Sequence, residues 1–337
     1  MARTTEARKK AVSPAAQAAQ KAQGRVVPRL NGAQAVEGTV TTIDAIMRSA
    51  RARMIAETMA HAQKYPNSPW SGAGLVRLEK TVREFYKTLG NDIKDAFKQS
   101  LPQVMLDFFN RAKAAIAADG GTELIGEPST ARIQYFLNSA FAQVAMRTDK
   151  MRFDHIQHLR QVASQVMRET ALTGETRREV SRRLLADATS VQGWQFTDKA
   201  GRKWRNKSYF EMLARTELMN AGRAAYEDAA VEAGYDVFQL SFSGDSCEAC
   251  ARWEGRLFSL TGATRGLPTK EDLEEDGVFH PNCTHSYSAV PDYIRETRFD
   301  ENGKPLAEEE RKKRREQTAK ENEDWLKEFD RKLRKRK

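Results

Sequence analysis

The stretch "GLVRLEKTVREFYKTLGNDIKDAFKQSLPQVMLDFF", residues 74–109, carries the strongest signal for the fold class of this chain. Large apolar side chains recur along it every three or four residues, which places them on one face of an α-helix. They are Leu75, Leu78, Val82, Phe85, Tyr86, Leu89, Ile93, Phe97, Leu101, Met105 and Phe109. Pro102 has no amide hydrogen to donate, so we expect a helix start or a kink there. The pattern predicts long helices that pack against a partner.

Helical periodicity extends from Val40 to about Asp187, with breaks at "KYPNSPWSGAG", "DGGTELIGEPS" and "LTGET". A third long segment carries Phe136, Phe141, Val144, Met151 and Ile156. A helical bundle or an extended helical stalk follows from this pattern. His155 and His158 lie one turn apart in the third segment, but no third ligand accompanies them locally. We therefore expect a surface or structural role for both.

The next segments mix helix and strand. Thr173 or Thr176 is a candidate helix cap, and Glu179 completes a capping box with Thr176. Residues 193–207, "GWQFTDKAGRKWRNK", alternate as a hairpin that turns at "DKAG".

A strongly helical stretch then begins at Ser208, the expected cap, with Glu211 at the capping-box position, and it closes at Gly234. Residues 235–243, "YDVFQLSFS", alternate as a strand.

The charge balance favours an anionic partner. The 337 residues contain 56 Lys and Arg against 46 Asp and Glu, a net charge of +10. Such an excess fits nucleic acid, although charge alone does not identify a partner. The sequence shows neither a long apolar run nor a secretory signal, so we expect no membrane span and a reducing host cytoplasm. An odd cysteine count there argues against a disulfide framework.

Both ends of the chain are basic. Residues 1–37 are rich in Ala, Gln and basic side chains and predict a flexible arm, either a solvated tail or a contact to DNA or the capsid wall. Residues 293–337 predict a charged helical tail, with Glu308–Lys312 and Glu316–Lys320 spaced as ion pairs. Four apolar side chains near its end fall on one side: Trp325, Leu326, Phe329 and Leu333. Such a segment is either a solvated helix with a small apolar stripe or a short docking helix.

The chain's cysteines cluster with histidines in "SFSGDSCEACARWEG", residues 241–255, and "FHPNCTHSY", residues 279–287. The candidate metal ligands are Cys247, Cys250, His280, Cys283 and His285. A Cys-x-x-Cys pair on a tight turn supplies two thiolates to a tetrahedral zinc ion, and the second stretch offers three donors for the two remaining positions. Either histidine could complete the site. We expect zinc in a structural role; the alternative is that the cysteines are small buried side chains and the histidines surface groups.

A nuclease is the second interpretation of the same cluster. His280-Pro281-Asn282 beside a zinc knuckle is similar to small zinc-supported nuclease folds, and Asp245, Glu248 and Glu254 are nearby carboxylates. No His-His pair precedes the asparagine, and His280 can already be a ligand. We therefore expect no enzymatic activity, with a nuclease or nucleic-acid-processing module as the alternative.

Four stretches resemble, in order, the domain of phage Mu F-like head-morphogenesis proteins and related tailed-phage minor capsid proteins. They are "LTGETRREVSRRLLADA", "YFEMLARTELMNAGRAAYEDAAVEAGYD", "SGDSCEACARWEGRLFSLTG" and "HPNCTHS", within residues 170–292. Many relatives end the last motif with Cys-x-Cys. Here the final position is His285, as in the branch called minor capsid protein 2, and a metal donor is kept.

The resemblance implies a structural protein of the virion that acts in head morphogenesis. Such proteins associate with the portal inside the head, join capsid or scaffold proteins, and in some cases bind double-stranded DNA. The resemblance implies no reaction for Arg215 and Glu217. We expect these residues to form a salt bridge that anchors their helix to the strand.

The expected fold class is mainly α with a smaller α+β, zinc-stapled C-terminal module. The expected domains are a basic arm at 1–37, a helical domain or stalk at 38–190, the Mu F-like module at 191–292 and the charged tail at 293–337.

Overall fold

The protein consists of two compact units in a computed structural model. The structure describes residues 32–67, 69–70, 72–118, 126–189, 195–197, 201–243, 246–291, 295 and 299–313. The helical unit contains Gly32–Asp107 and Pro128–Gly222. The C-terminal unit contains Phe108–Glu127 and the chain from Arg223 onward.

Helices dominate the described chain, and the predicted mainly α fold with a small sheet is confirmed. The long helices are α1 (Gly32–Lys64), α2 (Gly72–Ala118), α3 (Thr130–Thr173) and α6 (Asn206–Glu232). The short helices are α4 (Arg177–Arg183), α5 (Leu185–Ala188), α7 (Glu248–Ala251) and α8 (Lys270–Glu275). The strands are β1 (Gln195–Thr197), β2 (Lys203–Arg205), β3 (Val237–Leu240), β4 (Leu257–Ser259) and β5 (Tyr287–Ala289).

The helical unit buries the apolar faces that the sequence predicts. On α2, Leu78, Val82, Phe85, Tyr86, Leu89, Ile93, Phe97, Leu101 and Met105 are all buried. Pro102 lies inside α2, which continues past it, so of the two expectations for this residue, a helix start or a kink, the helix start is wrong. The expectation of long helices with partner surfaces is confirmed.

Polar contacts connect four helices of this unit in a closed circuit. Arg53 of α1 lies over the Phe85 ring of α2, 5.2 Å from its centroid. Arg160 of α3 pairs with Glu79 of α2 at 2.7 Å. The circuit is completed by Arg147 of α3 with Asn206 of α6, and by Lys207 of α6 with Asp44 of α1. The helical unit is therefore built as a bundle.

The predicted helix start at Thr176 is confirmed, whereas the one at Ser208 is wrong. The Thr176 side chain accepts from the Glu179 amide, and the Glu179 carboxylate accepts from the Thr176 amide. Helix α6 instead begins at Asn206, directly after β2, so Ser208 lies inside it. The β1–β2 hairpin pairs antiparallel across the predicted turn.

A three-stranded antiparallel sheet of order β4-β3-β5 forms the centre of the C-terminal unit. The predicted strand at β3 is present, but its alternation of exposed and buried side chains is not, since all of Val237–Leu240 are buried. Side chains cover both faces. Phe238 contacts the rings of Tyr226, Phe258 and Tyr287, while the other cluster contains Val237, Leu257, Val290 and Phe299.

The predicted terminal segments are described only in part. Helix α1 begins at Gly32, within the range assigned to the basic arm, and residues 1–31 lie outside the described residues. Residues 308–313 are helical, as expected for the charged tail. The Glu316–Lys320 pair and the apolar stripe from Trp325 onward lie outside the described residues. Among the described helices, none combines the length and apolar character that crossing a membrane requires.

Candidate metal centre

Cys247 and Cys250 lie on a tight turn in the connection between strands β3 and β4. The turn follows β3 and forms α7, whose cap is Cys247. The Cys250 amide donates to Cys247 Sγ at 3.5 Å, and the sulfur atoms of the Cys-x-x-Cys pair lie within 4.8 Å of each other. Gly255, at a φ of 75°, then returns the chain to β4, and its amide donates to the Leu240 carbonyl. This is the knuckle that the spacing predicts.

The other donors come from a turn that the "HPNC" sequence explains. The Cys283 amide donates to the His280 carbonyl at 2.9 Å, with Pro281 and Asn282 between them. Asn282 has a φ of 70°. Proline at the second turn position and a positive φ at the third are the marks of a type II turn, and asparagine tolerates that φ better than most residues. Asn282 thus has a conformational role that places Cys283 and His285 ahead of β5.

The structure brings all five predicted ligands together in two overlapping groups. One contains Cys247, Cys250 and His280, the other Cys250, Cys283 and His285, and within each group the donor atoms lie within 4.8 Å of one another. Cys250 Sγ lies 3.9 Å from Cys283 Sγ, and the three cysteines form no disulfide. This cluster could hold a metal ion.

The two histidines differ in burial and in partners. His285 is 3% exposed; its Nδ1 faces Cys283 Sγ at 3.5 Å and its Nε2 faces a Glu254 oxygen at 2.9 Å. His280 is half-buried; its Nε2 faces Cys247 Sγ at 3.2 Å and its Nδ1 faces the Pro281 carbonyl. Each ring thus directs one nitrogen to a thiol and the other to an oxygen, which is how metal-binding histidines are oriented.

Contacts within the second group shift the pKa values of its donors in opposite directions, so Cys250 and His285 must each lose a proton before they bind a metal. Burial opposes the charged form of Cys283, but the hydrogen bond to His285 and the positive charge of Arg223 lower the pKa of this thiol to about 6. Burial lowers the pKa of His285, but Cys283 and Glu254 outweigh it and raise this pKa to about 9. Burial and the neighbouring Cys283 raise the pKa of Cys250. Without a metal, the Cys283 thiolate and the His285 imidazolium therefore stabilise each other.

Other residues singled out in the sequence lie elsewhere. His155 is buried in the helical unit with Nδ1 3.2 Å from Tyr86 Oη, and the half-buried His158 contacts the Asp187 carbonyl, so both have structural roles as expected. Asp245, named for the nuclease alternative, lies outside the described residues.

Arg215 and Glu217 do not anchor α6 to a strand, and the predicted salt bridge between helix and strand is wrong. Arg215 pairs with Glu37 of α1 at 2.8 Å. Glu217 is buried and accepts from Gln143 of α3. Burial raises the pKa of this carboxyl. The two residues lie on different faces of α6 and join it to two other helices.

Two residues that support the cluster have roles that sequence reasoning missed. Glu254, considered there only as a carboxylate of the nuclease alternative, accepts hydrogen bonds from the Ser243 amide and from Ser246 Oγ and contacts His285. Arg223 donates to the carbonyl oxygens of His285 and Cys283. Glu254 follows Trp253 in the motif, so its position was visible in the sequence. Arg223 lies on a distant helix and carried no such signal.

Comparison with known proteins defines the class of the chain as a structural protein of the phage capsid. The model of the family described as phage minor capsid protein 2 matches residues 77–337, and the chain belongs to this family. The match includes the entire Cys/His cluster. No curated protein and no solved structure matches the chain significantly.

Proposed function

We propose that this protein is a structural minor capsid protein of a tailed phage that associates with the portal inside the head and contacts packaged DNA without sequence specificity. Membership of the minor capsid family is the observation that carries the proposal. In it, the helical part at 38–190 docks on portal or capsid proteins, the module at 191–292 is stapled by zinc, and the arm at 1–37 and the tail at 293–337 face DNA. The protein enters the head from the host cytoplasm during assembly.

The donor set supports zinc as the metal. Thiolate and imidazole ligands suit zinc, and a closed site with four protein ligands cross-links a small region that has few core residues. We assign Cys247, Cys250, Cys283 and His285 as the ligands. His285 is favoured over His280 because it is buried with two of the thiols and because Glu254 contacts its second nitrogen, as carboxylates do at zinc-bound histidines. His280 then lies beside Cys247 as an outer hydrogen-bond partner.

The chain ends supply the charge for DNA contact. Residues 1–31 contain seven Lys or Arg, and six of the last seven residues are Lys or Arg. These basic segments are nearly free of aromatic side chains, a composition that suits contact with phosphates better than reading of bases. Binding to phosphates releases counterions, so the affinity should fall steeply with salt.

Binding of the full chain to a short DNA duplex, measured by fluorescence anisotropy over a series of salt concentrations, tests the DNA contact. The matched variant keeps the chain length and replaces the basic residues of the arm by Gln at Arg3, Arg8, Lys9, Lys10, Lys21, Arg25 and Arg29. We expect a linear fall of log affinity with log salt and a shallower slope for the variant, by about 0.9 for each phosphate that the arm no longer neutralises. Equal slopes for the wild type and the variant would show that the arm does not contact the DNA.

The same preparation tests the portal association and the alternative function. Co-sedimentation with portal assemblies is expected for the wild type and for the arm variant, since the helical part provides the docking surface. Failure of both to sediment with the portal would contradict this part of the proposal. Incision of DNA that depends on added metal and is lost in His280→Ala would instead favour a nuclease.

A further inference from the structure

Arg223 lies on α6 beside the loop that carries Cys283 and His285, in the same unit as the Cys/His cluster. Its side chain is 4% exposed. Nε donates to the His285 carbonyl at 3.0 Å, and Nη2 donates to the Cys283 carbonyl at 2.9 Å. The two carbonyls belong to two of the buried donors of the cluster. One rigid guanidinium therefore fixes the backbone on which both side chains are mounted.

The loop needs such support, because its backbone has a positive φ at two residues that carry side chains. Phe279 has a φ of 60°, which is unfavourable for a bulky residue, and Asn282 has a φ of 70°, which asparagine tolerates better. The Arg223 guanidinium also lies over the Phe279 ring, 4.9 Å from its centroid. Cation–π contact with this ring holds the first of these residues, while the two carbonyl contacts hold the end of the loop.

Charge gives Arg223 a second role. Three thiolates carry more negative charge than one divalent ion neutralises, and a buried excess charge is costly unless a counter-charge lies close by. Arginine stays protonated when buried, and its planar fork matches two carbonyl oxygens at once. A lysine at this position would supply the positive charge but not the planar pair of N–H donors that reaches both carbonyl oxygens.

We infer that Arg223 is the positioning residue of the metal centre: it holds Cys283 and His285 in place for the metal and offsets the surplus thiolate charge. This inference rests on the proposed zinc site. It predicts that metal affinity depends on a residue of α6 whose side chain donates no ligand atom.

The test compares the wild type with Arg223→Met, which keeps most of the apolar stem, and Arg223→Lys, which keeps the charge. Arg147→Met is the matched control, because Arg147 is also buried and bound to Asn206, in the helical unit. Zinc affinity is measured by competition with a chromogenic chelator, and the ligand field by the visible spectrum of the cobalt-substituted protein. Thermal unfolding with excess zinc reports the structural cost alone.

We expect Arg223→Met to bind zinc about 10- to 100-fold more weakly, with an altered cobalt spectrum. Arg223→Lys should lie between it and the wild type. Arg147→Met should lose thermal stability but keep the wild-type zinc affinity and spectrum. Wild-type affinity and spectrum in Arg223→Met would overturn the inference and leave the zinc site standing. Should that variant not fold, unchanged affinity in Arg223→Lys would overturn it. A wild-type chain that binds no zinc would overturn both.

Discussion

His285 Nε2 lies 2.9 Å from a carboxylate oxygen of Glu254, and the opposite nitrogen of the same ring faces Cys283 Sγ. Glu254 is itself fixed by the Ser243 amide and by Ser246 Oγ. The Glu254 carboxylate thus contacts the His285 imidazole, and this ring in turn contacts the Cys283 thiol within the cluster. The arrangement fixes which nitrogen of His285 is offered to a metal.

Glu254→Gln should weaken zinc binding about 10- to 100-fold, because the amide keeps the size of the side chain but no longer attracts the His285 N–H as a carboxylate does. Chelator competition measures the change. Glu248→Gln is the matched control, since Glu248 is an exposed glutamate of the same turn. Equal losses in both variants would speak against a specific role for Glu254.

Replacement of each histidine in turn should identify the fourth ligand. His285→Ala should remove most of the bound zinc, because a buried donor is lost and Glu254 is left beside the gap. The His280→Ala variant should keep the bound zinc, and the rate at which the zinc is released should change only modestly. Zinc content per chain after dialysis decides the matter, and the reverse pattern would assign His280 instead.

The buried His155 should make the helical unit less stable in mild acid. Burial, followed by the charge of His158, lowers the pKa of His155 to about 4. The unfolded chain takes up this proton near pH 6.5 and the folded chain only near pH 4, so the stability is present above pH 6.5 and is lost as the pH falls between those values. The loss reaches about 2 kcal/mol at about pH 5.

Denaturant unfolding at about pH 7 and about pH 5 measures this loss, with His155→Phe as the comparison. The variant should show a smaller fall in free energy of unfolding between the two pH values. His158→Phe removes only the smaller cause of the lowered His155 pKa, so most of the fall should remain in this variant. The same pH dependence in wild type and His155→Phe would mean that other groups cause it.

The two motif residues of α6 should differ in their contribution to stability. The Arg215–Glu37 pair is partly exposed, so Arg215→Met should cost only about 0–1 kcal/mol. Burial raises the pKa of Glu217, which means that its charge is unfavourable in the fold at neutral pH. Glu217→Gln should therefore unfold at equal or higher denaturant concentration at neutral pH. A clear loss of stability in Glu217→Gln would show that its charge is needed.

Local signals in the sequence predicted the helices and the cluster well. The apolar spacing of α2, the Thr176–Glu179 capping box and the Cys-x-x-Cys turn each depend on residues a few positions apart. The five Cys and His residues of the cluster were found in the same way, because each half of the cluster is a short motif.

Long-range partners could not be predicted from such signals. Arg215 and Glu217 gave no indication of Glu37 or Gln143, which belong to other helices. The burial of β3 on both faces depends on Tyr226 of the preceding helix and on Phe299, which follows β5. Ser208 has the right type for a cap, but β2 ends next to the helix and leaves Asn206 as its first residue. Tertiary contacts therefore overrode the local preference.

Elemental analysis of the purified full chain, with Cys283→Ser measured beside it, decides whether zinc staples the C-terminal module. About one zinc ion per chain in the wild type, lost in the variant together with the thermal stability of the C-terminal unit, is the expected result. A wild-type chain without metal, whose three thiols all react freely and whose melting curve matches that of Cys283→Ser, would contradict the zinc-stapled module.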